Sequence, residues 1–325
     1  MVAGRLAQRD RSAPWCVVES QPDQRGRAQT APGSRAGRAA RAPDRRHAAG
    51  RVARHEPHRR RRPVPARLPP ALGVAHVSRV VAPNPGPYTG PGTNTWIVDA
   101  GPVVAVIDPG PDDDRHLASL NKRLAQRTVG VVLVTHSHPD HLPLADRFAT
   151  QHGATVRRYP DLHDGDIVRV GNLNITALYT PGHSADHLAF LLALDGALFT
   201  GDLILGQGSS MVTYPEGDVA AYLRSLERLA ALKPRILFPG HWDPVPDAMA
   251  KIEEYRKHRL EREAQVLAEV QRGGGTAFEL TRRVYGQLDE KLMFAAEMTM
   301  RAHLKKLVDD RAVRERGDIY EPSVT

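Results

Sequence analysis

The sequence predicts an α/β fold in the mixed α+β sense: sheets covered by helices, with a small helical module at the end. Three observations lead there. Between residues 74 and 250, short apolar runs punctuated by Gly and Pro alternate with helical stretches. Five of those runs end on a polar residue of metal-binding type: "VVAVID" at Asp108, "GVVLVTH" at His136, "ITALYTPGH" at His183, "GALFTGD" at Asp202 and "RILFPGH" at His241. Beyond residue 250 the apolar runs stop and charged helices take over.

Taken in order, the chain divides into a tail (1–73), a sheet-and-helix domain (74–250) and a terminal module (251–325). Of the first 70 residues, 44 are Ala, Arg, Pro or Gly, with no helical or strand period. Such a stretch cannot bury enough apolar surface to offset chain entropy, so the tail is expected to be disordered. Its composition is read as translated upstream sequence from a misassigned start, in preference to a polyanion-binding arm or a transit segment.

The Pro- and Gly-dense "NPGPYTGPGTNTWIVD" at 84–99 reads as a loop feeding a strand at 95–98. A helix is expected over 112–126, opened by "DDD", whose charges suit a helix N-terminus. Another, in "DVAAYLRSLERLAAL" (218–232), places Val219, Tyr222, Leu223, Leu226, Leu229 and Ala230 on one face, with Asp218 as its cap. Strands alternating with helices bring the polar strand ends to one rim. In the terminal module a long amphipathic helix runs over 251–271 and breaks at "GGG" (273–275). Helices over 276–285 and 290–310 follow, then two short extended pieces about a Gly-Asp turn in "AVRERGDIYEP". Three helices and a hairpin are the layout of a winged-helix module.

The net charge of +8 belongs to the tail, where residues 1–75 hold 17 Arg against 5 acids; the remainder holds 28 basic against 32 acidic groups. Nucleic-acid binding by the rest of the chain must therefore rest on local patches. In 251–325, with 15 basic and 14 acidic groups, the candidate phosphate-facing side is Arg301, Lys305 and Lys306 with Arg311. Cys16 is the only cysteine, which excludes an intrachain disulfide and a thiolate-based metal site. No apolar run is long enough for a membrane span, so no membrane partner is expected and a cytoplasmic location fits best.

The stretch "THSHPDH" at 135–141 is the densest chemical signal. A His-x-His pair puts both imidazoles on one side of an extended segment, and Asp140 and His141 follow after the turn allowed by Pro139. Imidazole and carboxylate ligands without sulfur suit Zn²⁺, with Fe²⁺ and Mn²⁺ open. His47, His55, His58, His76, His116, His152, His163, His258 and His303 sit singly and are assigned no role.

With His183, Asp202 and His241 following in "TPGH", "TGD" and "PGH", the sequence resembles the metallo-β-lactamase-fold hydrolases, over roughly residues 75–250. The resemblance implies an αββα sandwich with two metal ions. His136, His138 and His183 would hold the first, Asp140, His141 and His241 the second, and Asp202 would bridge both. Asp140 would also be catalytic, and Asp108 would brace the ligand loop. Two cations about 3.5–4 Å apart can share a hydroxide and stabilise its attack on a carbonyl or phosphoryl centre, so hydrolysis is the expected reaction. Retention of Asp202, where true zinc β-lactamases commonly carry Cys or Ser, argues against antibiotic hydrolysis.

"NPGPYTGPGTNTWIVD", "TPGHSADH", "GDLILGQGSS", "KIEEYRKHR" and "HLKKLVDDR" further resemble the subgroup represented by animal lactamase-beta-like protein 2, which adds a winged-helix-like domain. That resemblance implies an endoribonuclease acting on single-stranded RNA. The alternatives are a glyoxalase II-like hydrolase of a small thioester or ester and, third, a metal-sensing nucleic-acid-binding regulator. Asn94, His187 and Trp242 are candidates for orienting substrate or ligands; Trp242 would either stack on a base or simply pack. "LPLADRF" and "PGHWD" depart from the subgroup and leave pocket shape open, as homo-oligomer formation is left open.

Overall fold

The computed structural model describes residues 76–286 and 288–323. The tail 1–73, and its reading as upstream sequence, lies outside the described residues. Two five-stranded sheets carry the first part of the fold. The first contains β1 (Val77–Val81), β2 (Asn94–Asp99), β3 (Val103–Ile107), β4 (Thr128–Leu133) and β5 (Thr155–Arg157), paired in that order. The second contains β6 (Ile167–Val170), β7 (Leu173–Tyr179), β8 (Leu188–Leu192), β9 (Ala197–Gly201) and β10 (Ile236–Pro239), also paired in chain order. In each sheet hairpins give way to parallel pairs: β3 with β4, β4 with β5, and β9 with β10.

The sheets face each other across an apolar layer that includes Trp96, Val98, Ile107, Leu133, Phe190, Phe199 and Phe238. Trp96 meets Phe238 edge-on at 4.9 Å between centroids, and Phe199 stacks on Phe238 at 5.0 Å. The indole N–H of Trp96 donates to the Pro239 carbonyl at 3.0 Å, so the ring is buried without an orphaned donor.

Helices α1 (Asp114–Leu124) and α2 (Ala145–His152) cover the outer face of the first sheet; α3 (Val219–Ala231) and the start of α4 (Ala248–Gln271) cover the second. Helix α1 is shorter than the expected 112–126 because Asp113 caps it, accepting from the N–H groups of Arg115 and His116. Asp218 caps α3 through the Ala221 N–H. Helix α2 falls in "LPLADRFATQH", where the sequence reading placed none; it is only eight residues long and buries Ala145, Phe148 and Ala149.

The terminal module consists of β11 (Gly275–Thr276), α5 (Ala277–Tyr285), α6 (Glu290–Asp309), β12 (Val313–Arg316) and β13 (Ile319–Pro322), with sheet order β11-β13-β12. Its own core gathers Val266, Val270, Leu280, Met300, Leu304 and Tyr320. Helix α4 belongs to both parts: Ile252 and Tyr255 pack under the second sheet, Val266 and Val270 into the terminal module. The division drawn at residue 250 thus falls in the first turn of one continuous helix. No helix among the described residues is long and apolar enough to cross a membrane.

Two histidines assigned no role are fully buried, His116 and His303. His116 pairs with Thr95 Oγ1 at 2.8 Å, linking α1 to β2. Burial pushes its pKa down from 6.5 to about 4. The imidazole is therefore neutral in the folded chain but titrates near 6.5 when unfolded. Its contribution to stability is complete above pH 6.5 and is lost as pH falls toward 4, by about 3 kcal/mol for this group. Urea unfolding at about pH 7 and about pH 4.5 is expected to show this loss, and His116→Gln should flatten it; an equally steep fall in the variant would show that His116 is not its source.

Candidate metal centre

All five apolar runs deliver their polar ends to one rim of the sandwich. Asp108 follows β3, His136 to His141 follow β4, His183 follows β7, Asp202 follows β9 and His241 follows β10. The structure brings the seven expected ligands together in three overlapping groups: His136, His138 and His183; His136, His141 and Asp202; Asp140, His141 and His241. Within the first, His138 Nδ1 lies 3.0 Å from both His136 Nε2 and His183 Nε2. Such spacing of three imidazole nitrogens suits convergence on one cation bound at about 2.0–2.1 Å.

The far side of each ring shows which nitrogen is free to bind. His183 Nδ1 lies 2.7 Å from the Met211 carbonyl, and His241 Nδ1 lies 3.3 Å from the Gly92 carbonyl. His141 Nδ1 is 2.8 Å from Asp108 Oδ2, and His138 Nε2 is 3.3 Å from Glu216 Oε1. His136 Nδ1 lies 2.9 Å from the Thr135 hydroxyl, which itself donates to Asp108. Carbonyls and carboxylates only accept, so each far nitrogen that faces one is an N–H donor, which leaves the near nitrogen as the one that can present a lone pair to a cation. The Thr135 hydroxyl, its own hydrogen given to Asp108, accepts from His136 in the same way. Outer acceptors of this kind fix the orientation and tautomer of metal-binding histidines.

Electrostatics divides the rim. Burial, reinforced by the neighbouring imidazoles, holds His136 well below its ordinary value and His183 at about 4, so both of these imidazoles are neutral at neutral pH. In the other half burial alone would push the Asp202 and Asp140 carboxyls up. The imidazoles of His141 and His241 outweigh it and hold both acids down. Burial likewise opposes protonation of His241, but Asp202 and Asp140 raise it to about 9. The carboxylates thus create a strong local demand for positive charge. His141 Nε2 and His241 Nε2 are buried and make no hydrogen bond, and they lie within 3.4 Å of those carboxylates. A buried nitrogen and oxygen donor set, whose demand for positive charge divalent ions would meet in place of the proton on His241, fits a pair of such ions.

Gly240 lies against this cluster. A Cβ there would stand 2.3 Å from Asp202 Oδ1 and 2.8 Å from His141 Cε1, so the residue before His241 has room for hydrogen only.

The supporting candidates take distinct places. Asp108 is buried and accepts from the Thr135 N–H, the Thr135 hydroxyl and His141. Asn94 is buried away from solvent, its amide donating to the Pro239 and Trp242 carbonyls, so it holds the chain on either side of His241. His187 is also buried, at 5.2 Å from the His136 ring, with Nδ1 on Thr180 Oγ1. Trp242, half-buried, packs its indole on Gly90, where a Cβ would meet the ring at 2.4 Å.

Sequence reasoning missed three participants. Thr93 donates to Asp140 Oδ2 at 2.8 Å, Met211 offers only a backbone carbonyl, and Glu216 is one acid in an unremarked loop. Thr93 lies within the quoted stretch 84–99, but nothing local marks its hydroxyl as a partner of Asp140, and the other two are brought to the rim by chain folding alone.

Comparison with known proteins agrees with this geometry. The profile of the metallo-beta-lactamase superfamily matches residues 88–164 and 157–241, and that of the beta-lactamase associated winged helix domain matches residues 276–321. Lactamase-like protein adaB of Aspergillus niger is 34% identical, over 78% of this chain and 86% of the relative. Beta-lactamase-like protein 2 homolog of Drosophila melanogaster is 30% identical, over 77% of this chain and 96% of the relative. A metallo-beta-lactamase family protein of solved structure from Thermus thermophilus superposes with a TM-score of 0.65 at 26% identity, covering 76% of this chain and 98% of that one. The chain belongs to the metallo-β-lactamase superfamily. It is a hydrolase of that fold carrying the associated winged-helix domain, and its fold implies divalent metal ions at the His/Asp cluster.

Proposed function

We propose that the chain is a two-zinc hydrolase of thioesters or esters. The observation that carries this reading is the charge on the accessible side of the site. Glu216, with a third of its side chain exposed, places a carboxylate beside His138. A phosphodiester brings its own negative charge to that position, whereas a thioester carbonyl is neutral. A protein of Aspergillus chevalieri named atrochrysone carboxyl ACP thioesterase is 34% identical over 76% of this chain, which supports the same substrate class.

The alternative of single-stranded RNA as substrate needs a basic face, and the one singled out in the sequence is largely neutralised. Arg301 pairs with Glu297, Lys305 with Asp309, and Lys306 with both Glu263 and Asp310. Of that face, Arg311 alone has no carboxylate partner among the described residues.

The ions, when bound, supply Lewis acidity for the scissile carbonyl and acidify the attacking water. The chain's residues do the rest. Five imidazoles present fixed lone pairs, Asp202 faces donors of both halves, and Asp140, held by Thr93, stands at the accessible edge.

A panel of S-lactoylglutathione, a bis-aryl phosphodiester and short single-stranded RNA, assayed with Zn²⁺-loaded protein and with Asp140→Ala as control, tests the proposal. Thioester turnover should dominate and vanish in the control. Preferential RNA cleavage would reverse the substrate reading, and a control as active as the parent would reject the site.

A further inference from the structure

The loop 203–217 lies between the metal centre and the terminal module. On its inner side Met211 holds His183 through its carbonyl, Glu216 holds His138, and Ser210 Oγ donates to the Asp202 carbonyl at 2.5 Å. On its outer side α4 grips it: Tyr255 Oη accepts from the Leu205 N–H at 3.0 Å, and His258 Nδ1 meets Ser209 Oγ at 3.2 Å. Helix α6 adds the Met298 carbonyl, which accepts from the Tyr214 N–H at 3.1 Å.

At the centre of this grip stands Arg259. Its side chain is buried, with the residue only 2% exposed, and its terminal nitrogen donates to the Ser210 carbonyl at 2.7 Å. The guanidinium lies over the Tyr222 ring at 5.1 Å. Among the described residues no carboxylate pairs with it, and its Nε makes no hydrogen bond. A buried charge without a counter-ion costs stability, and a well-packed apolar residue of similar volume is commonly neutral or stabilising in its place. Packing alone therefore gives no reason for an arginine here.

We propose that Arg259 is a positioning residue for the metal centre, clamping the Ser210–Met211 peptide so that Ser210 holds the Asp202 backbone and Met211 holds His183. By this route helix α4, which runs on into the terminal module, sets the geometry of the ligands that would bind the first ion. The inference rests on the two-metal reading of the site. The guanidinium reaches the carbonyl and the Tyr222 face together, a combination that the point charge of lysine does not reproduce.

Arg259→Met in the full chain separates positioning from stability. Chelator competition should show the first metal held about 10–100-fold more weakly, the cost typical of a lost outer partner of a ligand histidine. The Co²⁺-substituted protein should show an altered visible spectrum, while the melting temperature is unchanged or raised. Arg259→Lys should recover metal binding only in part. Unchanged metal affinity and spectrum in Arg259→Met would overturn the inference, as would weakening no greater than a parallel loss of stability explains. Should Arg259→Met not fold, Ser210→Ala removes the hydroxyl that ties the clamped peptide to the Asp202 backbone; weaker metal binding at an unchanged melting temperature supports the proposal and full retention overturns it. A parent protein that binds no divalent ion would sink the two-metal reading itself, a result distinguishable from a parent and variant that bind equally.

Discussion

Asp202→Ala is expected to lose turnover and to release both metals. Asp202 Oδ2 lies 3.3 Å from His241 Nε2 and 4.0 Å from His183 Nε2, while Oδ1 lies 3.4 Å from His141 Nε2. One side chain thus faces donors of both halves. Its removal also takes away a fully buried negative charge that favours cation binding in each half. The affinity loss should exceed the roughly 10–100-fold that follows removal of an outer partner, because a direct ligand is removed. Metal content after dialysis and the steady-state rate on a thioester check it together; a variant that keeps two metals and most of its rate would remove Asp202 from the bridging position. Loss of the metals without loss of fold is the expected form, since the sheet-to-sheet core around Trp96, Phe199 and Phe238 does not involve Asp202.

The second large effect is expected from Asp108, which belongs to none of the three candidate ligand groups. Its carboxylate accepts from the Thr135 N–H and the Thr135 hydroxyl, each at 2.7 Å, and from His141 Nδ1 at 2.8 Å. Two ligands depend on it: His141 directly and His136 through the Thr135 hydroxyl. Asp108→Ala leaves these buried donors without an acceptor, at about 1–3 kcal/mol for each orphaned group. Asp108→Asn keeps the shape but presents an amide NH₂ where one acceptor oxygen stood. Both variants should bind metal about 10–100-fold more weakly, with the alanine variant also melting earlier. Chelator competition and thermal unfolding, measured on the same samples, separate the two effects. Parental metal affinity in the asparagine variant would show that the carboxylate charge is dispensable.

Much of the site was legible because its ligands sit at the ends of strands. A strand end is a local feature: an apolar run, then Gly or Pro, then the ligand, as in "TGD" and "PGH". The helices of the terminal module were legible for a similar reason. Three successive helical patterns broken by "GGG" and closed by a Gly-Asp turn specify their own local structure. Helix α2 was not legible, since a short helix in "ADRFATQH" shows little more than two turns of periodicity and owes its stability to the pocket that buries Phe148.

The pairing of the candidate phosphate-facing patch with neighbouring acids was itself legible in the sequence. Residues 297 and 301, 305 and 309, and 306 and 310 pair acid with base at i, i+4 spacing, the distance at which helix side chains meet. Only the Lys306–Glu263 pair required the packing of α6 on α4 to be known.

By itself the sequence determined the order of the elements apart from α2, because each is written in a contiguous stretch of chain, and through its resemblance to a family it named the seven candidate ligands and the hydrolase class. Tertiary structure alone decided which ring nitrogen of each histidine is free, that Glu216 stands beside His138, and that Arg259 is buried under the metal-site loop. Those depend on hydrogen bonds and burial between segments far apart in sequence. The backbone carbonyls of Gly92 and Met211, which hold two of the five imidazoles, belong to every residue type and leave no mark in an amino-acid string.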